Sequence, residues 1–144
     1  MATLVISIAA LAVSFTALVW QFITWLRNGP VIRVKAHYAI PVIGGSVSST
    51  QYLAVSATNR GRAPATITGW GLLMPGDRTT ASESAPLPGV EPLPYRLDPY
   101  AEISWCIAAD DLDRLCSVGS FRRSQLRPFV FVSGQGRKVG KPLA

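Results

Sequence analysis

The chain has little with which to do chemistry. One histidine and two cysteines serve 144 residues, too few for a histidine-based metal cluster or for the disulfide framework of a small secreted scaffold. Acids are scarce too: eight Asp and Glu against 14 Lys and Arg leave a net charge of +6. Charge is missing altogether from the first 26 residues, so the whole excess sits in residues 27–144. Such a balance suits an anionic neighbour, whether phospholipid headgroups, nucleic acid or an acidic protein face, and charge alone does not choose among them. Cys106 and Cys116 lie in locally apolar sequence and read as buried free thiols. A bridge between them is the alternative in an oxidising compartment.

What is abundant is apolar sequence, distributed unevenly. The run from Thr3 to Leu26 offers about 24 residues without charge, and at 1.5 Å rise per residue it covers the roughly 30 Å hydrocarbon core of a bilayer. Trp20 and Trp25 fall toward its C-terminal end, at headgroup level, and Arg27-Asn28-Gly29-Pro30 stops the helix. The sequence therefore predicts a transmembrane helix and its stop over residues 1–30 and a basic β domain over residues 31–144, all that a chain of this length accommodates. A cleaved signal peptide is the rival reading, with Ala10-Leu11-Ala12 as cleavage site, but no basic segment precedes the apolar run and the run continues well past that site. Arg27, Arg33 and Lys35 follow the span and only the terminal amine precedes it. The positive-inside bias then puts the N-terminus outside and the domain in the cytoplasm of a single-pass plasma-membrane protein.

Within the span, Thr3, Ser7, Ala10, Ser14, Ala17, Gln21 and Thr24 recur at alternating spacings of four and three, a heptad seam of small and polar residues on an otherwise Leu, Val, Ile, Phe and Trp surface. Small residues let helix backbones approach, and the hydroxyls and the amide can hydrogen-bond across a contact. The seam suggests a homo-oligomer or a partner membrane protein. The alternatives are that each hydroxyl bonds its own helix, or that several copies line a pore with Gln21.

After Val31 the period changes from helical to alternating. Ile32, Val34, Ala36, Tyr38 and Ile40 take one side and Arg33, Lys35 and His37 the other, which predicts a half-buried strand. Further strands are expected over Gln51–Thr58, Ala65–Met74, Ala101–Ala108, Pro128–Ser133 and Lys138–Pro142, the last two a hairpin across Gly134-Gln135-Gly136. Asn59-Arg60-Gly61-Arg62 is a turn by composition. Pro75 to Pro94, rich in proline, is a long surface loop with at most a short edge segment, and Leu97-Asp98-Pro99-Tyr100 is a turn. Asp110 or Asp111 is expected to cap a short helix that runs to about Val118 and ends at Gly119, with Leu112 and Leu115 on the core. The sum is a mainly β protein: one transmembrane helix, then an immunoglobulin-like antiparallel β-sandwich with one short helix.

The stretch VSATNRGRAPATITGWG from Val55 to Gly71, with LPYRLDPY after the loop, resembles a pattern in uncharacterised small membrane-anchored β-domain proteins of actinobacteria and their phages. The resemblance covers about half the chain. It implies a strand, an Asn-Arg-Gly-Arg turn whose Gly61 can take positive φ, and a return strand held by Ile67 and Trp70; it implies a fold and no activity.

Asp110, Asp111 and Asp113 form the one acidic cluster. Three close carboxylates can bind a divalent cation, but at a helix start they suit the positive dipole end and no further ligand spacing completes a site. His37 lies on a polar strand face without a Ser or Cys motif beside it, and Gly44-Gly45 and Gly134-Gln135-Gly136 lack the context of a phosphate loop. No enzyme, cofactor or metal is therefore expected. Arg122, Arg123, Arg127, Arg137, Lys138 and Lys141 follow Asp113 with no acid among them, a basic patch able to press the domain against anionic lipid at about 1 kcal/mol per residue. Nucleic-acid binding is disfavoured by sparse aromatics and the lack of a reader motif. The reading is a non-enzymatic, membrane-anchored interaction or assembly protein. The alternative is a phage-encoded structural protein with its N-terminal helix buried in a particle.

Overall fold

The computed structural model describes residues 2–40, 42–43, 45–47, 49–80 and 91–144. Helix α1 spans Ala2–Arg27 and buries none of its residues. Its hydroxyls turn inward on the helix: Ser7, Ser14, Thr16 and Thr24 donate to the carbonyls of Thr3, Ala10, Ala12 and Trp20 at 2.8–2.9 Å. Arg27 in the last turn complements the negative end of the helix dipole. The Asn28 amide closes a final turn on the Trp25 carbonyl, and Gly29-Pro30 ends the helix because proline supplies no donor to continue it.

Among the described residues ten strands follow: β1 (Ile32–Ala39), β2 (Val42–Ile43), β3 (Ser46–Val47), β4 (Tyr52–Asn59), β5 (Ala65–Met74), β6 (Arg78–Thr79), β7 (Tyr95–Leu97), β8 (Glu102–Ala108), β9 (Arg127–Val132) and β10 (Gly136–Val139). Helix α2 (Ala109–Gly119) separates β8 from β9. β2 and β3 form a small ribbon of their own. The rest build two antiparallel sheets, one in the order β1-β4-β8 and one in the order β10-β9-β5-β6, with β7 also paired to β5.

The alternation expected after Val31 is present. Ile32 and Val34 are buried and Ala36 and Tyr38 half-buried while Arg33, Lys35 and His37 are exposed; Ile40, expected on the inward side, lies past the end of β1 and is exposed. β4 runs in register from Ile32↔Asn59 to Ala39↔Tyr52, which sets Ala57, Val55 and Leu53 beside the inward residues of β1, all three fully buried. Trp105 and Ile107 of β8 continue this face, and Ile67, Leu72, Val130 and Val132 meet it from the other sheet, so the two sheets curl around one apolar core. Trp105 stacks on Trp70 at 5.8 Å between ring centroids.

Several expectations needed correction. Tyr95–Leu97 is a strand, pairing Ala65↔Leu97 through Ile67↔Tyr95, where proline on both sides suggested only loop and turn. Gly61 does not take positive φ. It is required by close approach, since a Cβ there would collide with the Gly29 carbonyl and come within 2.5 Å of the Val31 nitrogen. Helix α2 is entered at Ala108 without a side-chain cap, and Asp110 and Asp111 occupy its first turn, where they still suit the dipole. Its C-cap is Ser120 in the left-handed region, while Gly119 is demanded by the Phe121 ring folded back on it. The short edge segment in the proline-rich stretch is β6, paired to Leu73 and Met74; the part of that stretch from 81 to 90, like Gly44 of the Gly44-Gly45 pair, lies outside the described residues.

The closing hairpin forms with Gly134 and Gly136 at positive φ, but its second strand is Gly136–Val139 in place of Lys138–Pro142, because pairing with β9 begins at Gly136 and ends at Val139. The chain beyond β10 then crosses to the free edge of β1. Gly140 packs so closely there that a Cβ would sit 2.7 Å from the Val34 carbonyl oxygen. Its amide donates to the Pro128 carbonyl at 2.7 Å, and Leu143 donates to Leu126 at 2.9 Å.

Candidate functional site

The seam residues Thr3, Ser7, Ala10, Ser14, Ala17, Gln21 and Thr24 lie along α1, and the hydroxyls of Ser7, Ser14 and Thr24 are already satisfied by their own helix. Ala17 and Gln21 share a shallow concavity with Ala12, Val13, Thr16 and Trp20. Thr24 is half-buried, because the C-terminal end of α1 faces the β domain.

The basic patch is divided by the fold. Arg123 is drawn onto Asp113, with its Nε donating at 3.0 Å, and reaches the Tyr38 hydroxyl at 3.4 Å. Those two acceptors hold its guanidinium charge more firmly than usual. Arg137 pairs with Asp77 at 2.5 Å across the sheet. Pairs this exposed add about 0–1 kcal/mol to stability, but they cancel charge locally. Arg122 and Lys138 lie elsewhere on the surface. Arg127 and Lys141 are the members that converge, and they do so with residues from the other end of the domain: Arg33 and Lys35 of β1 face them across a groove of about 650 Å³ between the β1 edge and the segment 139–142. Among the described residues none of these four cations is in an ion pair. A groove with four cations and no carboxylate holds a positive potential that low-dielectric walls strengthen.

A second cationic surface lies where α1 meets the domain, and a residue read as mere turn composition builds it. Asn59 is fully buried. Its amide nitrogen donates to the Ala63 carbonyl at 2.8 Å and the Leu97 carbonyl at 3.3 Å, and its oxygen accepts from Gly61 at 2.9 Å and Val31 at 3.3 Å. Its backbone is equally engaged, donating to Ala101 and accepting from Tyr100. One side chain thus ties the exit of the helix, the Arg60–Arg62 loop, β7 and the start of β8 into one block, with its polar atoms satisfied in a place where an unmade bond would cost about 1–3 kcal/mol. Around it, Arg27, Arg60 and Arg62 surround a slot of about 460 Å³ walled by Trp20, Ile23 and Tyr100.

The acidic cluster is dispersed into pairs: Asp113 with Arg123, and Asp111 with Arg114 at 3.9 Å. Among the described residues no three metal-ligating side chains gather. His37 stands exposed on β1. Cys106 and Cys116 are half-buried and unbridged. Burial pushes the Cys106 thiol up. Burial also raises Cys116, with the Arg123 guanidinium pulling the other way and Asp113 adding to the rise. Among the described residues, Trp105 Nε1 is the buried side-chain nitrogen without a hydrogen-bond partner. It is enclosed by core and opens on no cavity described above.

Comparison with protein-family models, with curated proteins and with solved structures yields no match.

Proposed function

We propose that the chain is a non-catalytic, single-pass membrane-anchored interaction module, with its N-terminus outside and its β domain on the cytoplasmic face. The observation that carries this reading is α1 itself: 26 residues, mean hydropathy 2.3, none of its most apolar window buried against the domain. Each large apolar side chain left in water forgoes about 1.5–3 kcal/mol, so a rod that finds no cover in its own chain needs an apolar medium or another helix. The seam supplies a face for a second copy or a partner span. The Arg33, Lys35, Arg127 and Lys141 groove supplies a face for an acidic protein partner. Two sheets sharing one core support an immunoglobulin-like reading of the domain.

Detergent-dependent extraction of the full-length chain from membranes is the expected result, and its recovery as a surfactant-free soluble monomer would end the proposal. Co-sedimentation with particles in place of membranes would favour a structural role in an assembly. An impermeant amine reagent applied to intact cells should spare Lys138; labelling from outside reverses the orientation. Cysteines introduced by Ser14→Cys or Ala17→Cys should crosslink copies, and equal crosslinking from Phe15→Cys removes the seam.

A further inference from the structure

The junction slot has a polarity gradient matching that of a lipid. Trp20 and Ile23 form its lower wall, on the apolar part of α1, and Arg27 closes it one to two turns further along. Seven residues from Trp20 to Arg27 advance about 10 Å along a helix, roughly the distance from the outer acyl region to the phosphate plane. Above Arg27, the β4–β5 loop holds Arg60 and Arg62 over the same opening, and Tyr100 covers its side.

These groups are held in position by the block described above. The Arg60 amide donates to the Val31 carbonyl at 2.8 Å, so the arginine loop is bonded to the chain leaving the helix. Gly61 sits against Gly29-Pro30-Val31 with no room for a Cβ. Tyr100 is 71% exposed and adopts φ +62, an unfavourable conformation for a tyrosine, held by the hydrogen bond its backbone N–H donates to the Asn59 carbonyl at 2.8 Å. A large aromatic held in a strained backbone and left facing solvent serves no packing purpose in the domain. Next to three guanidiniums at the end of an apolar helix, it has the character of an interfacial aromatic. Among the described residues no carboxylate pairs with Arg27, Arg60 or Arg62.

We propose that this slot binds the headgroup of one anionic phospholipid, the phosphate held by Arg27, Arg60 and Arg62, and an acyl chain against Trp20 and Ile23. The inference rests on membrane anchoring. It assigns headgroup recognition to the junction and away from the C-terminal basic residues.

The test uses full-length protein in mixed vesicles of phosphatidylcholine and phosphatidylglycerol, with the lipid retained on the protein after mild-detergent release identified by native mass spectrometry. Retained phosphatidylglycerol should exceed its share of the bilayer, and the enrichment should fall about five-fold for each arginine removed by Arg60→Gln or Arg62→Gln. Arg60→Lys with Arg62→Lys should recover most of it, and Arg122→Gln, away from the slot, should leave it unchanged. Enrichment that survives Arg60→Gln with Arg62→Gln, or that Arg122→Gln reduces equally, overturns the site. If inorganic phosphate added to the released protein abolishes retention as effectively as added phosphatidylglycerol, the site is one for free phosphate and the lipid assignment falls. Flotation with pure phosphatidylcholine vesicles reports anchoring separately. A chain that floats but retains no anionic lipid refutes the slot alone, and a chain that does not float refutes both.

Discussion

Helix α1 and the β domain are both rich in apolar residues and use them in opposite ways. The domain encloses Leu53, Val55, Ile67, Leu97, Leu112, Leu126 and Val130 completely, whereas α1 encloses nothing. Their polar groups differ in the same sense. On α1 the hydroxyls bond carbonyls one turn back, so they carry no information about what lies beside the helix. In the domain, Ser56 meets Ser104 at 2.6 Å across two strands, and Asn59 joins segments up to 38 residues apart. Buried polar contacts between distant segments specify one arrangement, because any other leaves them unmade. The domain is determined by its own chain, while the helix depends on its surroundings.

The comparison breaks first at Trp105. Trp105→Ala should cost the domain about 3–5 kcal/mol, read by urea denaturation of the full chain in mild detergent, with membrane retention unchanged. If it also frees the chain from membranes, the two regions are one folding unit. Leu11→Arg should do the converse. A charge at the centre of a span costs about 2.5–3.5 kcal/mol of insertion, so extraction without detergent should rise while the urea midpoint of the domain stays put. Gly61→Ala probes the seam between the two regions. Overpacking against Gly29-Pro30-Val31 should cost about 1–3 kcal/mol, and altered proteolysis between Arg27 and Ile32 would report the loosened junction.

The smallest effect concerns the thiols, whose burial raises both titrations. A folded state that holds its protons more tightly than the unfolded one loses stability as pH climbs from the ordinary thiol range toward the raised values, and none of this loss occurs below that range. Alkylation of Cys106 and Cys116 near pH 8 should accordingly run slower in the folded chain than in urea. Equal rates would show that the thiols are not desolvated.

Much of this fold is legible in sequence because period-two alternation is a local signal. Ile32 to Tyr38 and Ile103 to Ile107 each declare their inward face without reference to the rest of the chain, whereas in Ala65–Met74 the alternation stops at a register shift between Ile67 and Gly69, past which Gly71 and Leu72 are both buried. Tyr95–Leu97 escaped because it is three residues long and flanked by proline, and only its pairing with β5 makes it a strand. Asn59 resembles any turn asparagine until Val31, Ala63 and Leu97 close around it. The basic residues show the limit most clearly. Counting charges along the C-terminal third groups Arg123 and Arg137 with Arg127 and Lys141, yet Asp113 and Asp77 neutralise the first two, and Arg33 and Lys35, from the first strand of the domain, complete the groove. Which charges stand together is a property of closure, and no local window contains it.

The crossing of Gly140 over Val34 bears on synthesis. The free edge of β1 stays open until residues 135–143 have left the ribosome, because Gln135 reaches the Pro30 carbonyl at 3.0 Å and Gly140 seats against Val34. At about 5–20 residues per second, α1 emerges several seconds before that latch exists. For a membrane-anchored chain, delivery of the helix would therefore begin while the domain is still unclosed and the edge of β1 still free.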